Sequence, residues 1–327
     1  MTGSVSRPTI DPSRLTRTLR LATRSSAQAT AQATAVADAL MAAHAGLHVE
    51  LVFVDTLGDQ RTDVPLHTIG GQGVFVKEVQ RAVLDGHADL AAHSAKDLPS
   101  AAADGLQLAA FCERRDPRDA LIGAALADLP SGATVATGSV RRRAQLAVVR
   151  PDLQFVELRG NIHTRLSKLP EGGALVMAVA ALQILGLTER IANHLPTDVF
   201  VPSPGQGCVA VECRSDDSAT AALLTAVDHP ATRAAVEAER AFLAELGTGC
   251  SLPIGAHAAD HVLTGFLADP SANLHVTKSA ALSGGTWERR RQAAALAREL
   301  QSALDDALRA LALTTDTVAP QPAPHER

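Results

Sequence analysis

The chain has 327 residues, of which 46% are hydrophobic, and it carries a formal net charge of −5. This length favours two or three domains, and no run of about 18 apolar residues indicates a membrane-spanning helix. The negative charge argues against a general attraction to nucleic acid or to acidic membrane surfaces.

Alternating strand and helix patterns predict an α/β domain in the first part of the chain. In chain order, the predicted elements are a strand at Thr18–Ala22, a helix from about Ser25 to Ala45, a strand at His48–Val54, a helix at Val74–Leu84, and strands at Ala88–Ala92 and Leu106–Phe111. The charged segment Glu113–Asp119 contains a proline and is predicted to cross between domains.

A second alternating set predicts another α/β domain. Its elements are a strand at Ala133–Ala136, a helix from Ser139, a strand at Leu153–Leu158, a helix from Asn161 and a strand at Ala174–Val179. The proline- and glycine-rich segment Val199–Cys208 is predicted to cross back. We therefore assign the strand that follows, Cys208–Cys213, to the first domain.

The rest of the chain predicts a smaller unit between disordered ends. It contains a helix at Ala231–Leu246, hairpin strands at Ile254–Ala268 and Leu274–Leu282, and a long amphipathic helix at Trp287–Leu311. Residues 1–16 and the proline-rich tail 314–327 are expected to be disordered. Because the first residues contain no apolar segment of the secretory type, the cytoplasm is the expected location.

Three strand-to-helix junctions share one design, in which a small hydroxyl or amide residue stands at the predicted helix N-cap with arginine beside it. Helix N-termini offer N–H groups and partial positive charge, and arginine adds bidentate hydrogen bonds, so such junctions bind anions. Together they predict a ligand with several carboxylates or phosphates, and ordinary capping with solvated arginines is the alternative. The junctions are Ala22–Ser26, Thr137–Arg142 and Arg159–Arg165.

Asp97 follows the short predicted strand Ala88–Ala92, which places it on a loop at the carboxyl end of a strand. A catalytic carboxylate in an open α/β sheet lies at such an end, and Lys96 is its neighbour. An ionised, partly desolvated carboxylate there can stabilise a developing positive charge. The alternative is an aspartate that caps a helix or a turn.

Four cysteines, at positions 112, 208, 213 and 250, lie far apart with no Cys-x-x-Cys pair, so neither a disulfide framework nor a metal site is predicted. Cys250 differs from the others because it lies between glycines and a proline, on a loop where its thiol would be accessible. No Cys/His/Asn arrangement indicates a protease-like nucleophile, and an inert thiol remains the alternative.

Eight motifs occur along the chain in one order: ATRSS, GGQGVFVKE, HSAKDLP, CERRDPRDA, ATGSVRRRAQL, LRGNIHTRLSKL, PGQGCVAVECR and GTGCSLPIGA. In this order they resemble one enzyme family, porphobilinogen deaminase (hydroxymethylbilane synthase). The resemblance extends from about Leu19 to Leu311, and HSAKDLP, the RGNIHTR motif and the GCSLPIGA loop are its most specific parts.

The resemblance implies a three-domain α/β fold, with two periplasmic-binding-protein-like α/β lobes and a C-terminal α+β domain that contains a small antiparallel sheet. It also implies that four porphobilinogen molecules are joined into the linear tetrapyrrole hydroxymethylbilane, with release of ammonia, in a cleft between the lobes. The substrate is then the small molecule porphobilinogen. No nucleic acid, membrane or partner protein is expected, and a monomer suits a hinged cleft.

The resemblance assigns roles to particular residues. Asp97 matches the catalytic aspartate, and Cys250 matches the cysteine whose sulfur carries a dipyrromethane cofactor through a thioether. The other cofactor-binding positions implied are Lys96, Thr137, Ser139, Arg141, Arg142 and Gln206. The substrate-binding positions implied are Arg24, Ser26, Arg159 and Arg165.

Three domains are predicted in keeping with this resemblance. Domain 1 comprises residues 17–112 and 207–228, domain 2 residues 113–206, and domain 3 residues 229–313. Domain 1 would carry the aspartate loop, domain 2 the arginine-rich anion sites and domain 3 the cysteine loop.

Two positions depart from the family pattern. Gln72 stands where many members have a lysine, and Ile184 stands where an arginine is usual near the substrate. An apolar residue cannot bind a carboxylate, so a divergent paralogue with impaired elongation is one alternative. A bilobal protein that binds a polyanion without chemistry is another.

Overall fold

The computed structural model describes residues 17–56, 73, 75–247 and 253–316. These residues form two compact units. The first contains residues 17–56, 73, 75–114 and 208–233, and the second contains residues 115–207, 234–247 and 253–316. The predicted boundaries of three domains stay a prediction.

The strands of the described residues form three sheets. In chain order they are β1 (Arg17–Arg24), β2 (Leu47–Val54), β3 (Leu90–Ser94), β4 (Leu106–Phe111), β5 (Asp119–Ile122), β6 (Thr134–Ala136), β7 (Gln154–Val156), β8 (Ala174–Ala178), β9 (Ile191–Leu195), β10 (Val209–Arg214), β11 (Ile254–Ala259), β12 (Val262–Asp269) and β13 (Leu274–Ala281).

The α-helices of these residues connect the strands or follow them. They are α1 (Ala27–Ala43), α2 (Lys77–Leu84), α3 (Val140–Val149), α4 (Ile162–Leu166), α5 (Val179–Ile184), α6 (Ser218–Leu224), α7 (Pro230–Glu245) and α8 (Thr286–Asp316). None of the helices in this part of the chain is both long and apolar enough to cross a membrane.

The first unit is built on a five-stranded sheet in the order β2-β1-β3-β10-β4. Strand β1 is parallel to β2 and β3, whereas β10 runs antiparallel to β3 and β4. Successive side chains of a strand point to opposite faces, so Leu21 packs with α1 and α6, while Ala22 packs with α2. Helices therefore cover both faces, and β10 returns to this sheet as predicted.

The second unit contains a five-stranded sheet in the order β7-β6-β8-β5-β9. Strand β6 is parallel to β7 and β8, and β5 runs antiparallel to β8 and β9. The two five-stranded sheets thus share one strand order and one pattern of strand directions. In each sheet, the carboxyl ends of the parallel strands lie at one edge. Ligands of open α/β sheets bind at this edge.

A three-stranded antiparallel sheet, β11-β12-β13, completes the second unit. Its apolar face packs on α7 and α8 through Phe242, Leu263 and Leu300, which are fully buried. Gly265 allows this packing, because a Cβ there would lie 2.6 Å from the Phe242 ring. The predicted fold class, with two α/β sheet lobes and a small C-terminal antiparallel sheet, is confirmed.

Several element predictions were wrong or incomplete. Asp119, assigned to a crossing segment, is the first residue of β5, a four-residue strand buried throughout. Strand β9 and helices α5 and α6 were not predicted. The single strand predicted over Ile254–Ala268 is two strands, because Asp260 and His261 have positive φ angles of 48° and 61° and form the turn between them.

Candidate functional site

One pocket of the first unit brings together three of the predicted site residues. Arg24, Ser26 and Asp97 all line it, at the carboxyl ends of β1 and β3. Arginine and the N-terminus of α1 supply positive charge there, and Asp97 supplies a carboxylate. The other lining residues are Gln28, Ala29, Gln32, Phe75, Val76, Ala92, His93 and Ser94.

Arg24 and Ser26 occupy the turn between β1 and α1. Ser26 is the N-cap of the helix, and its Oγ accepts a hydrogen bond from the backbone N–H of Ala29 at 3.3 Å. The Arg24 guanidinium lies over the ring of Phe75, 4.2 Å from the ring centroid. The predicted cap is therefore confirmed, and the arginine is oriented by an aromatic face.

Asp97 is held in place by the short connection that follows β3. It ends a 3-10 turn over Ala95–Asp97, and the Ala95 N–H donates to the carbonyl oxygen of Cys208 at 2.9 Å. The Asp97 side chain is half-buried, as is that of Lys96, its neighbour in the turn. The predicted position at a strand's carboxyl end is confirmed.

A buried polar network lies behind the pocket and was not predicted. Gln80 donates to both carboxylate oxygens of Glu212, at 3.1 and 2.9 Å. His93 Nε2 lies 3.0 Å from Glu212 Oε2, at an angle that does not make a hydrogen bond. In the same region, Ser94 Oγ donates to Gln32 Oε1 at 3.1 Å. These contacts join β3 and β10 to the helices on either side.

In the second unit, Thr137 and Ser139 form the junction between β6 and α3. Ser139 is the N-cap, with its Oγ 3.4 Å from the Arg142 N–H that donates to it. Thr137 Oγ1 accepts from the Ser139 N–H at 3.2 Å. The helix starts where the sequence predicts it, and its first turn carries Arg141 and Arg142.

The predicted cofactor residues Arg141, Arg142 and Gln206 all donate to one carboxylate, that of Asp119. Arg141 Nη2 lies 2.7 Å from Oδ2, and Arg142 Nη2 lies 2.6 Å from Oδ1. Gln206 Nε2 donates to Oδ1 at 2.8 Å and to the Pro117 carbonyl at 2.8 Å. The side chain of Asp119 is only 1% exposed.

The charges of this cluster do not balance. Burial by itself would raise the pKa of Asp119, but the charges and hydrogen bonds of Arg141 and Arg142 outweigh it and hold that pKa well below its usual range. Burial lowers the pKa of Arg141, Asp119 raises it, and the charge of Arg142 lowers it. Two guanidiniums around one carboxylate leave a net positive charge that favours an anionic ligand.

Arg159 and Arg165 belong to the third predicted junction, between β7 and α4. Asn161 caps this helix, since its Oδ1 accepts from the Thr164 N–H at 2.9 Å, and Arg165 Nε donates to the Gly160 carbonyl at 2.7 Å. Gly160 has a φ of +114°, and a Cβ there would lie 2.8 Å from Thr164 Cγ2. Glycine is therefore required for this tight turn.

Cys250, Gln72 and Ile184 are the other positions that the sequence singles out. Cys250 and Gln72 lie outside the described residues. Ile184 is half-buried at the end of α5, next to Gln183, whose Oε1 accepts from the Asp116 N–H at 3.2 Å.

Within the second unit, the sequence prediction missed Asp119. The sequence of β5, Asp-Ala-Leu-Ile, could have revealed it. A carboxylate at the start of an otherwise apolar, buried strand requires cationic partners.

Two solved structures with some likeness to the chain are binding proteins of low sequence identity. The methionine binding protein MetQ is 13% identical, with a TM-score of 0.41, over 68% of this chain and 93% of that chain. A nutrient binding protein from Burkholderia cenocepacia bound to methionine is 14% identical, with a TM-score of 0.39, over 66% and 93%. With TM-scores this low, neither carries an argument about this chain.

Sequence comparison is far more specific. The family model "Porphobilinogen deaminase, dipyromethane cofactor binding domain" matches residues 19–222, and "Porphobilinogen deaminase, C-terminal domain" matches residues 233–300. A curated protein of Geobacter sulfurreducens (strain ATCC 51573 / DSM 12127 / PCA), "Porphobilinogen deaminase", is 43% identical over 290 residues, which are 86% of this chain and 91% of that protein. The chain belongs to the porphobilinogen deaminase family.

Proposed function

We propose that this chain, a transferase of the porphobilinogen deaminase family, joins four porphobilinogen molecules head to tail on a dipyrromethane carried by Cys250. The products are ammonia and the linear tetrapyrrole hydroxymethylbilane. The observation that carries the proposal is the pocket of the first unit, where Arg24, Ser26 and Asp97 meet. It combines an anion-binding junction with a carboxylate at the carboxyl ends of two strands.

Asp97 is the proposed catalytic residue. Its carboxylate can accept hydrogen bonds from a pyrrole N–H and can stabilise the positive charge that develops on the substrate as ammonia leaves. The half-buried position supports this role, because a carboxylate that is partly removed from water interacts more strongly with a nearby positive charge.

Arg24, Ser26, Arg159 and Arg165 are the proposed binding residues for the acetate and propionate groups of porphobilinogen. Arg24 supplies a planar guanidinium whose orientation Phe75 fixes. Ser26 begins a helix of 17 residues, whose N-terminus favours a carboxylate. Arg165 lies in the short helix that the Gly160 turn introduces.

The residues of the second unit fit the dipyrromethane, which carries acetate and propionate side chains. Arg141 and Arg142 surround a single carboxylate, so their cluster has a positive charge that a further carboxylate would balance. Thr137, Ser139 and Gln206 are the other proposed contacts of this unit. Lys96, a residue of the first unit, stays a cofactor-binding prediction. When bound, the group supplies the free pyrrole carbon to which new units are joined.

The remaining proposals concern the setting of the reaction. We infer that the protein is a cytoplasmic monomer whose small-molecule partner is porphobilinogen, and that it binds neither nucleic acid nor membranes. The formal net charge of −5 supports the last two points, because both surfaces are anionic.

Intact-mass analysis of the purified protein tests the function. We expect a mass increase equal to two pyrrole units, located on Cys250 by peptide mapping, and a free thiol at the other three cysteines. Porphobilinogen should then release ammonia. An unmodified mass, an alkylated Cys250 and no ammonia would refute the proposal, whereas an adduct without turnover would indicate impaired elongation.

A further inference from the structure

We propose that Asp119 is a positioning residue of the cofactor site, which holds Arg141, Arg142 and Gln206 in the arrangement that binds the dipyrromethane carboxylates. This inference rests on the proposed function, which assigns those three side chains to the cofactor. Asp119 itself would touch neither cofactor nor substrate.

The two oxygens of Asp119 have separate partners. Oδ2 accepts from Arg141 Nη2 at 2.7 Å. Oδ1 accepts from Arg142 Nε at 3.0 Å, from Arg142 Nη2 at 2.6 Å and from Gln206 Nε2 at 2.8 Å. An asparagine could not replace this group, because its NH₂ would face an N–H donor at either position.

Each guanidinium is fixed at a second point by a backbone carbonyl. Arg141 Nη1 donates to the carbonyl of Val201 at 2.8 Å, and Arg142 Nη1 donates to that of Val176 at 3.2 Å. A planar guanidinium held at two points has a fixed orientation, and its remaining N–H groups then point in set directions. Asp119 supplies one of the two points in both cases.

The carboxylate is attached to a rigid part of the fold. Asp119 is the first residue of β5 and pairs in register with Ala178, the last residue of β8. A group on a strand is placed more accurately than a group on a loop. Ligand-binding arginines can thus be oriented before any ligand arrives.

The charge of Asp119 and its positioning of the arginines have opposite effects on the binding of a carboxylate. A negative charge beside the two arginines weakens their attraction for a carboxylate, so electrostatic attraction alone would favour the loss of Asp119. Two adjacent guanidiniums without it would repel each other and adopt several rotamers. If positioning dominates, removing Asp119 weakens cofactor binding even though the net positive charge increases.

The test measures cofactor loading rather than turnover. Full-length protein, made in cells that cannot synthesise porphobilinogen, is incubated with increasing porphobilinogen, and intact mass gives the fraction that carries the adduct. For Asp119→Asn, we expect the half-saturating concentration to rise roughly tenfold or more, as when outer groups that orient metal ligands are removed. The folded fraction is first isolated by gel filtration.

Asp152→Asn is the matched control. Asp152 is also an arginine-paired carboxylate of the second unit, but its described hydrogen bonds come from Arg150 and from the Gly132 N–H. It should load as the unchanged protein does. A purely structural role of Asp119 would lower the unfolding midpoint of Asp119→Asn but leave the half-saturating concentration of its folded fraction unchanged, which would overturn the inference.

A second pair of variants decides the question if Asp119→Asn does not fold. Arg141→Met leaves Arg142 held by Asp119 in a neutral pair. Adding Asp119→Asn restores one net positive charge but removes one of the two points that hold Arg142. Positioning predicts that the double variant loads no better than Arg141→Met, and better loading would overturn it. An unchanged protein that takes no adduct refutes the proposed function itself, whereas normal loading by Asp119→Asn refutes only this inference.

Discussion

Asp119 and Ala178 are partners across an antiparallel strand pair, so the start of β5 lies beside the end of β8. The parallel strands of this sheet end at the edge where its arginines are found. An antiparallel strand that begins at the same edge can place a carboxylate among them. The register of one strand pair therefore determines which charges meet in the second unit.

Replacement of the proposed catalytic carboxylate should slow the reaction strongly and leave the fold intact. For Asp97→Asn, we expect kcat to fall by about 10²–10³-fold, the effect of removing one group that stabilises charge in a transition state. Ammonia release measures the rate, and the unfolding midpoint should change little because Asp97 is half-buried. Asp104→Asn, an exposed aspartate of the same unit, is the control and should keep full activity.

Acid should destabilise the protein below about pH 4, the usual pKa of an unfolded aspartate. The pKa values of Asp116, Asp119 and Asp217 are lowered in the folded state, where arginine partners or hydrogen bonds outweigh the effect of burial. A lowered folded pKa gives stability that is present above the unfolded value and is lost as pH falls through the folded values.

Thermal unfolding between pH 7 and pH 2 measures this loss. We expect a midpoint that is nearly constant from pH 7 to pH 5 and that falls progressively below about pH 4. A midpoint that stays constant down to pH 2 would show that the lowered pKa values of these three carboxylates do not contribute to stability.

The cysteines should differ in their reaction with iodoacetamide at neutral pH. Burial raises the pKa of the Cys213 thiol, and the charge of Asp217 raises it further. Cys208 is also buried, whereas Cys112 is partly exposed. Because the thiolate is the reactive form, we expect Cys112 to react before Cys208 and Cys213 in the folded protein. Peptide mapping over time gives the order, and rapid labelling of Cys213 without denaturant would contradict it.

The apolar residue at position 184 should limit the affinity for substrate. Ile184→Arg adds a guanidinium at the end of α5, and a charged hydrogen bond to a carboxylate contributes about 1.5–3 kcal/mol, or roughly a tenfold or larger gain in kcat/KM. Ile184→Met is the uncharged control. Equal kinetic constants for the two variants would show that position 184 does not bind the substrate.

Local patterns accounted for most of the fold. Strand β4 has the bounds that its sequence predicts, Leu106–Phe111, and Ser26, Ser139 and Asn161 are helix N-caps as their residue types and positions suggest. These features depend on residues within one turn or one strand, and such interactions can be read from a single stretch of sequence.

The contacts around Asp119 could not be predicted in this way. Its partners Arg141, Arg142 and Gln206 are 22, 23 and 87 residues away in the chain. Only the sheet order brings them together, and that order depends on strands β5 and β9, which are short and were not recognised. The family motifs identified the arginines and the glutamine, but not the group to which they are bound.

The place of β10 in the first sheet has a consequence for folding during synthesis. It lies between β3 and β4, yet it leaves the ribosome only after all of β5–β9, the complete second sheet. Until then β4 lacks its neighbouring strand, so the sheet nearer the N-terminus is expected to be the later of the two to form. Pulse-labelled hydrogen exchange should detect protection in β5, β6 and β8 first, and simultaneous protection of both sheets would contradict this order. The nascent chain would therefore expose the unpaired backbone edges of β3 and β4 for as long as the ribosome takes to translate the second lobe.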